Sequence, residues 1–531
     1  MARTISWSNW IGDHKQTVVN SNIRTRSDLK ILVQRIVDAG GKVRAYGSKH
    51  SMSAVAQPTS FAVSLAGMSG LLTNKWLKRS LPNVRTGQHL VRIKGGTRIK
   101  DLNAALFRRG LALPNMGSFD GQTIAGAIST ATHGSGVLLG SIADMVVSLE
   151  MLVVTPTIRG EPRAKLLRIE PTNGITDPQA FRAARSSHDM DLVQDDTVFY
   201  AAVVSYGCMG AVVGVTLKVV DEFWLKEEYK APSWSELRKS LRANTHGIPN
   251  RLKKVRHVDF LINVHETQLK NDTRANDPTT SLRFRSKTRK LRKPKHWRKP
   301  WPPMREKSLD ELMDGLGQKA AGVDPDRRHP LAAAGIRGEM KSWARDKSPF
   351  AKKQSTSLSS IVLRRLRDDI FDGKAPKPPP KTITMEIAVP IENTIEAIDR
   401  VLEHIRNREA SFVAPMGVRT VAASKHYLAP NYRRKVTYIE VPFVLPKRAK
   451  RREEVLEGTA RRELKKIEEF LCYRDSHLKG RPHIGKLHNL NQDRVRELYP
   501  SFDRWLEVYE RYNSFGTFDN AFTDQLGISQ G

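Results

Sequence analysis

Cysteine is almost missing from this chain: only Cys208 and Cys472 occur in 531 residues. A disulfide framework and a thiolate zinc site of finger type are thereby excluded, and thiols this sparse fit a reducing compartment. Long apolar runs are missing too. None approaches the roughly 20 residues that span a bilayer, and the opening Met1-Ala-Arg-Thr-Ile-Ser-Trp7 has no apolar core of a secretory signal. A cytoplasmic protein is the expectation. Acid is short relative to base, 55 Asp plus Glu against 89 Lys plus Arg, for a net charge of +34. Such a surplus attracts anions in general, whether nucleic acid, lipid head groups or acidic partners, and does not choose among them. With 39% hydrophobic and 27% charged residues, the chain is too apolar to be wholly disordered and too polar for a membrane bundle. Its length suits two or three domains with a sizeable core.

The charge is uneven. From Arg283 to Lys307 twelve residues are Lys or Arg and one, Glu306, is acidic. Pro294, Pro300, Pro302 and Pro303 forbid a continuous helix there, and Trp297 and Trp301 suit stacking on bases or a membrane interface. Two readings stand: a solvated insertion that raises solubility, or a patch that docks on an acidic partner, a membrane surface or nucleic acid. A second basic run, Lys447 to Arg452, opens a helix reaching Phe470. Glu453, Glu454, Glu457 and Glu463 interleave there, the pattern of a solvated helical face.

Up to Val220 the chain alternates strands and helices with glycine-rich joints, an α/β pattern. Ser27 is placed to cap a helix whose apolar stripe is Leu29, Leu32, Val33, Ile36 and Val37, ending at Gly40-Gly41. Lys42 to Tyr46 alternates like a strand and runs into Gly47-Ser-Lys-His-Ser51. A second unit has strand-like Val91-Arg-Ile93, the turn Gly95-Gly96, and a helix carrying Ile99, Leu102, Ala105 and Leu106 closed by Gly110. The small-residue segment from Gly117 to Gly136 follows, then strands over 143–155 and 210–220. Beyond Asp221 the pattern changes to an antiparallel sheet backed by helices, with strands over 382–389, 418–423 and 435–444. Between them, 390–407 has the helical stripe Ile391, Ile395, Ile398, Leu402 and Ile405. The basic run and the proline-rich loop 374–381 interrupt this region.

Glycines followed by helices let backbone approach a ligand closely and aim N–H groups at phosphate oxygens. The loops Gly47–Ser51 and Gly117–Gly136 therefore suggest a diphosphate held between segments distant in sequence. Neither is a Rossmann or P-loop fingerprint. The order of motifs is more specific. Asn9-Trp-Ile-Gly12, Gly47-Ser-Lys-His-Ser51 and Gln122-Thr-Ile-Ala-Gly-Ala127 come first, leading into Thr132-His-Gly-Ser-Gly136. Arg481-Pro-His-Ile-Gly-Lys486 and Phe515-Gly-Thr-Phe-Asp-Asn520 come much later. This series resembles the FAD-linked oxidases of the vanillyl-alcohol-oxidase type, nearest to the sugar-1,4-lactone and alditol oxidases, over nearly the whole chain. The resemblance implies an α+β fold. A two-subdomain FAD-binding domain would span 1–222, and a substrate domain with an antiparallel sheet backed by helices 223–480, with a basic insertion at about 268–350. A segment at 481–531 would return to the flavin.

It also implies site residues. His50 matches the histidine that many members bond to the flavin 8α-methyl carbon, although Lys49 stands where relatives carry a glycine. Gly47, Ser48, Lys49 and Ser51 would share in holding FAD. Gly117, Ser118, Gly121, Gln122, Thr123, Gly126, Thr132, His133, Gly134, Ser135 and Gly136 would line the pyrophosphate, with Gly210 and Val212 on the adenine side beside a packing Cys208. Lys486 matches the lysine of His-Trp-Gly-Lys, with Ile484 for tryptophan, and would touch substrate oxygen and the flavin edge; His483 would orient it. Arg419 matches the arginine of Glu-x-Arg, whose glutamate is Gly417 here. That lost carboxylate, with Lys425 and Lys435 close in sequence, hints at an anionic alcohol substrate. Ser118 matches a substrate-touching serine, and Glu386 and Thr437 lie on strands that face the pocket in relatives. Glycine at 117, where some dehydrogenases have alanine, favours access of O2. No metal is expected. The implied reaction is hydride transfer from an alcohol or lactol carbon to flavin N5, with O2 reduced to hydrogen peroxide. A quinone or cytochrome acceptor is the alternative, and so is a non-catalytic scaffold binding acidic partners.

Overall fold

A computed structural model describes residues 3–81, 88–117, 119–243, 255–267, 275–288, 337–338, 340–341, 351–353, 381–407, 415–445, 450–473 and 476–530. Ser118, positions 289–307 of the basic run, positions 374–380 of the proline-rich loop and positions 447–449 lie outside the described residues.

The architecture is α+β, with three sheets. The first is four-stranded: β1 (Arg3–Ser8), β2 (Lys15–Asn22), β3 (Val43–Tyr46) and β4 (Phe61–Ser64), in the order β1-β2-β4-β3. Its parallel pairs β2–β4 and β4–β3 require a crossover, which the helix Arg26–Asp38 supplies, burying Leu29, Val33, Ile36 and Val37. The cap is Thr25 rather than Ser27. Thr25 keeps an extended backbone and accepts from the Asp28 N–H, while Ser27 already lies in the first turn.

The second sheet has seven strands: β5 (Leu71–Leu72), β6 (Gln88–Lys94), β7 (Leu111–Ala112), β8 (Val146–Pro156), β9 (Pro162–Glu170), β10 (Met190–Gln194) and β11 (Ala211–Asp221). Glu150 on β8 is buried and accepts from Arg92 at 2.6 Å and from Arg168 and Arg26 at 3.0 Å, tying the helix Arg26–Asp38 to this sheet. Burial alone would raise its pKa; Arg92, Arg168 and Arg26 outweigh that and hold it down.

The third sheet is antiparallel. It orders β15 (Ala351–Lys353), β12 (Trp224–Lys230), β14 (Thr280–Thr288), β13 (His257–Ile262), β17 (Met416–Val421), β18 (Val436–Leu445), β16 (Lys381–Pro390) and β19 (Arg481–Pro482). Ile387, Val418, Ile439 and Val441 on one face pack with Ile398, Val401, Leu464 and Ile467 of the helices Thr394–Arg406 and Lys450–Cys472. Arg283 and Arg285 are part of β14 and not of a solvated insertion. Arg283 is buried and grips Asp259 of β13 through two bonds of 2.7 and 2.9 Å. A run of cations reads the same in sequence whether it faces water or a buried acid.

The end of the chain returns to its beginning. Asn520 donates to the carbonyls of Ala54 and Gln57 at 3.0 and 2.8 Å. Buried Arg44 of β3 spreads its guanidinium over the carbonyls of Val55, Gly207 and Phe518. Among the described residues no helix is long and apolar enough to cross a membrane.

Candidate active site

The loop after β3 and the segment entering the helix Ile124–Ser129 face the start of β11 across a cleft of about 750 Å³, part of it open to solvent. Of the expected residues, Gly47, Ser48, Lys49, His50, Ser51, Gln122, Thr123, Gly126, Gly210 and Val212 line it. Ser48 clamps its two walls together, its hydroxyl donating to the Gly121 carbonyl at 2.6 Å. Two glycines are obligatory: a Cβ at Gly47 would lie 2.0 Å from Thr123 Oγ1, and one at Gly210 2.2 Å from the Leu152 carbonyl. Lys49 sits at φ +58, a left-handed backbone that favours glycine. Its ammonium lies 5.9 Å from the Trp7 ring, and partial burial lowers its pKa. His50 stacks on Phe119 at 4.2 Å with the Trp10 edge 5.1 Å away. Asn9 braces the loop from outside, its amide donating to the Ser51 carbonyl at 3.2 Å. Cys208 is fully buried, its thiol pushed up by burial, as a packing residue would be.

Directly after His50 the loop meets the late motif. Met52 N–H donates to the Gly485 carbonyl at 3.0 Å and the Ser53 hydroxyl to the Ile484 carbonyl at 2.5 Å. His483 Nδ1 accepts from the Gly485 N–H at 3.1 Å, and the Lys486 N–H returns to the His483 carbonyl at 2.9 Å. This tight turn aims Lys486 at the third sheet. Burial keeps His483 neutral at ordinary pH, with its pKa lowered to about 4.

There the side chains form one charged array. Lys486 Nζ lies 2.8 Å from Glu440 Oε1, and Arg419 Nη1 lies 2.8 Å from Glu440 Oε2 and 3.3 Å from Glu386 Oε1. His133 Nε2 stands 3.3 Å from Glu386 Oε1, and its ring stacks on Tyr438 at 3.6 Å. Burial opposes the charged forms of Glu440, Glu386, Lys486 and Arg419, yet the pairs win. Glu440 falls to about 2 through Lys486 and Arg419. Glu386 is held well below the carboxylate range by His133, His483 and Lys486. Lys486 and Arg419 are both raised, by Glu440 and then Glu386.

Several expected residues lie elsewhere. Thr132 to Gly136 do not line the cleft but cross to the third sheet. Gly136 N–H donates to the Thr420 carbonyl at 2.7 Å, and the Ser135 hydroxyl donates to Asp259 at 3.2 Å. Gly134 packs on Asn115–Met116, and Gly117 on Thr132–His133. Thr437 faces away from the site and bonds Thr394 at 2.6 Å, because strand side chains alternate. Ser118 lies outside the described residues. Glu440 was not foreseen. The signal available was its position, a lone acid within the apolar run of β18 and two residues beyond Tyr438 on the same face. Its presence removes the basis for an anionic substrate. Two carboxylates face two cations, and Lys425 and Lys435 are exposed.

His133, Glu386 and His483 offer ligand atoms within 4.8 Å of one another. Glu386 Oε1 there already faces Arg419 Nη1 and His133 Nε2, each at 3.3 Å, and His483 Nδ1 accepts from the Gly485 N–H. The arrangement reads as a hydrogen-bonded ion cluster. FAD, in contrast, fits the cleft: Gly47 and Gly210 let its walls pack closely on Thr123 and Leu152, and Gln122 Oε1 is buried there with no hydrogen-bond partner among the described residues. Such an acceptor needs a donor from a ligand.

Residues 22–158 match the FAD binding domain family and residues 349–526 the D-arabinono-1,4-lactone oxidase family. The L-gulono-1,4-lactone dehydrogenase of Mycobacterium tuberculosis is 24% identical over 98% of both chains. The L-gulonolactone oxidase of Bos taurus is 23% identical over 91% of this chain and 89% of its own. Among solved structures, a solvent-stable cholesterol oxidase superposes with a TM-score of 0.68 at 16% identity, covering 99% of this chain and 98% of its own. A VAO-type flavoprotein of Myceliophthora thermophila C1 gives 0.55 at 12% identity over 95% and 79%. The glycine cleft, the loop of His50 closed against that of Lys486, and these two family matches make the chain an FAD-dependent oxidoreductase, similar in sequence to sugar-1,4-lactone oxidases and dehydrogenases and sharing the fold of the VAO-type flavoproteins.

Proposed function

We propose that the protein oxidises a hydroxyl-bearing carbon of a neutral sugar-1,4-lactone or similar polyhydroxylated ring, with O2 as electron acceptor and His50 as the point of covalent flavin attachment. The observation that carries this reading is the Lys486–Glu440–Arg419 array set on the segment that closes over the His50 loop. Bound FAD supplies the hydride acceptor. The chain supplies the rest. Lys486, kept as an ammonium by Glu440 and Glu386, donates hydrogen bonds to substrate oxygen and stabilises negative charge gathering near it. Arg419 offers a second fixed cation, and the His483 turn holds Lys486 in place without itself changing protonation near neutral pH. The ring of Phe119 and the edge of Trp10 pack against His50 and fix its orientation.

Mixing the purified holoprotein anaerobically with L-gulono-, L-galactono- and D-arabinono-1,4-lactone tests this. Bleaching of flavin absorbance by at least one lactone and not by cholesterol is expected, followed by peroxide formation on admitting air. Bleaching without peroxide would instead favour a quinone or cytochrome acceptor, the reading supported by the dehydrogenase from Mycobacterium tuberculosis that spans 98% of the chain. No bleaching by any lactone would overturn the proposed substrate class.

A further inference from the structure

Three neighbouring strands bring one feature to a single face. β17–β18 pairing sets Gly417 opposite Glu440, and β18–β16 pairing sets Glu440 opposite Glu386. Cross-strand partners share a face, and Arg419, two residues from Gly417, shares it too. A Cβ at Gly417 would lie 3.6 Å from both Cβ and Oε2 of Glu440 and 3.9 Å from Arg419 Nη2. The Glu440 carboxylate therefore occupies the space that a side chain at 417 would enter. Exposure separates the front of the array from its back: 17% for the Glu440 and Arg419 side chains and 26% for Lys486, against 4% for Glu386 and 3% for His133. Glu440 is the carboxylate that a small molecule can reach.

We propose that Glu440 sets the substrate class, presenting its carboxylate from β18 into the space left by Gly417, where it spaces Lys486 and Arg419 and accepts hydrogen bonds from substrate hydroxyls. This rests on the reading that Lys486 and Arg419 face the substrate. An ionised carboxylate has about four lone-pair sites, and the two cations take one on each oxygen. The remainder point where hydroxyl donors satisfy them. An anionic substrate meets repulsion there, and an apolar one such as a sterol strips water from the charge without replacing it. The third sheet thereby distinguishes a polyhydroxylated ring from the ligand class named in the cholesterol oxidases that share this fold.

The test uses holoprotein reduced with dithionite, so that lactone binds without turnover and its Kd is read by calorimetry. Flavin content and melting temperature are measured for each variant. Glu440→Gln is expected to keep its flavin content, to lower the melting temperature by removing the charge that pairs Lys486 and Arg419, and to weaken lactone binding by ~10- to 100-fold, the usual effect of losing a charge-assisted hydrogen bond. Glu440→Gly is expected to weaken it at least as much. The double variant Gly417→Glu/Glu440→Gly, which returns a carboxylate to the same space from β17, is expected to recover binding to within about tenfold of the parent. Unchanged Kd in Glu440→Gln overturns the proposal, as does a double variant no better than Glu440→Gly. Parent protein that binds none of the three lactones defeats the substrate reading and this proposal with it, whereas binding indifferent to Glu440 defeats this proposal alone.

Discussion

The Ser53 hydroxyl donates to the backbone carbonyl of Ile484 at 2.5 Å, joining residues 431 positions apart. Both partners are buried, and the bond sits between the loop of His50 and the turn of Lys486. Ser53→Ala leaves a buried carbonyl unsatisfied, at a cost of about 1–3 kcal/mol. The expected outcome is a lower melting temperature and faster release of FAD whenever the flavin is not covalently held. Differential scanning calorimetry and flavin fluorescence after dilution measure both. If FAD release is unaffected, this clasp has no part in closing the flavin site.

Lys49 occupies a left-handed backbone position, φ +58, that costs a side-chain-bearing residue roughly 1 kcal/mol relative to glycine. Its contact with Trp7 at 5.9 Å returns only about half of that. Lys49→Gly should therefore leave the melting temperature unchanged or slightly higher, with the colour of acid-precipitated protein intact. A fall of several degrees would show that the lysine side chain holds the loop.

Much of this was legible in the sequence because periodicity survives folding. The stripe Ile398, Leu402 and Ile405 is fully or almost fully buried on the helix Thr394–Arg406, as its spacing requires. The loop of His50 and the turn of Lys486 could be matched by motif because glycines with one backbone solution mark them. Register was not legible. Whether Thr437 or its neighbour Tyr438 faces the site depends on a one-residue offset fixed by pairing with β16 and β17. The same offset hid Glu440, so the glycine at 417 read as a lost charge when the charge had moved one strand over. Arg283 read as solvated for a related reason: its partner Asp259 lies on a neighbouring strand and leaves no local mark.

Acid should unfold the protein before its carboxylates titrate. His257 and His483 are buried, and burial lowers their pKa values to about 3 and about 4, against 6.5 for the free group. Between pH 6.5 and 4 these two rings bind protons in the unfolded chain that they refuse in the folded one, so stability falls as pH falls across that window. The slope is up to about 1.4 kcal/mol per pH unit for each histidine. Glu440 acts lower: its contribution is complete above about pH 4.5 and is lost as pH falls through about 2. Urea unfolding at pH 7, 6 and 5 should show midpoints falling at each step. Equal midpoints at pH 6.5 and 5 would mean that these rings already carry protons in the native state.

Gly117 lies against Thr132 and His133, and a Cβ there would meet the His133 carbonyl and Thr132 Cγ2, each at 3.3 Å. Its backbone does not require glycine, since its φ lies outside the left-handed range, so alanine is accommodated once those neighbours yield by a few tenths of an ångström. The added methyl then packs against the backbone of His133, whose ring contacts Glu386 at the rear of the charged array. If oxygen reaches the reduced flavin past Gly117, Gly117→Ala slows reoxidation by about tenfold, ~1.4 kcal/mol on that barrier. Reduction by lactone should be left within about twofold, since the Lys486–Glu440–Arg419 front is untouched. Stopped-flow mixing of reduced protein with aerated buffer separates the two half-reactions. Equal reoxidation rates in both proteins would place the oxygen path elsewhere, and slow reoxidation in the parent itself would point to a quinone or cytochrome as the acceptor.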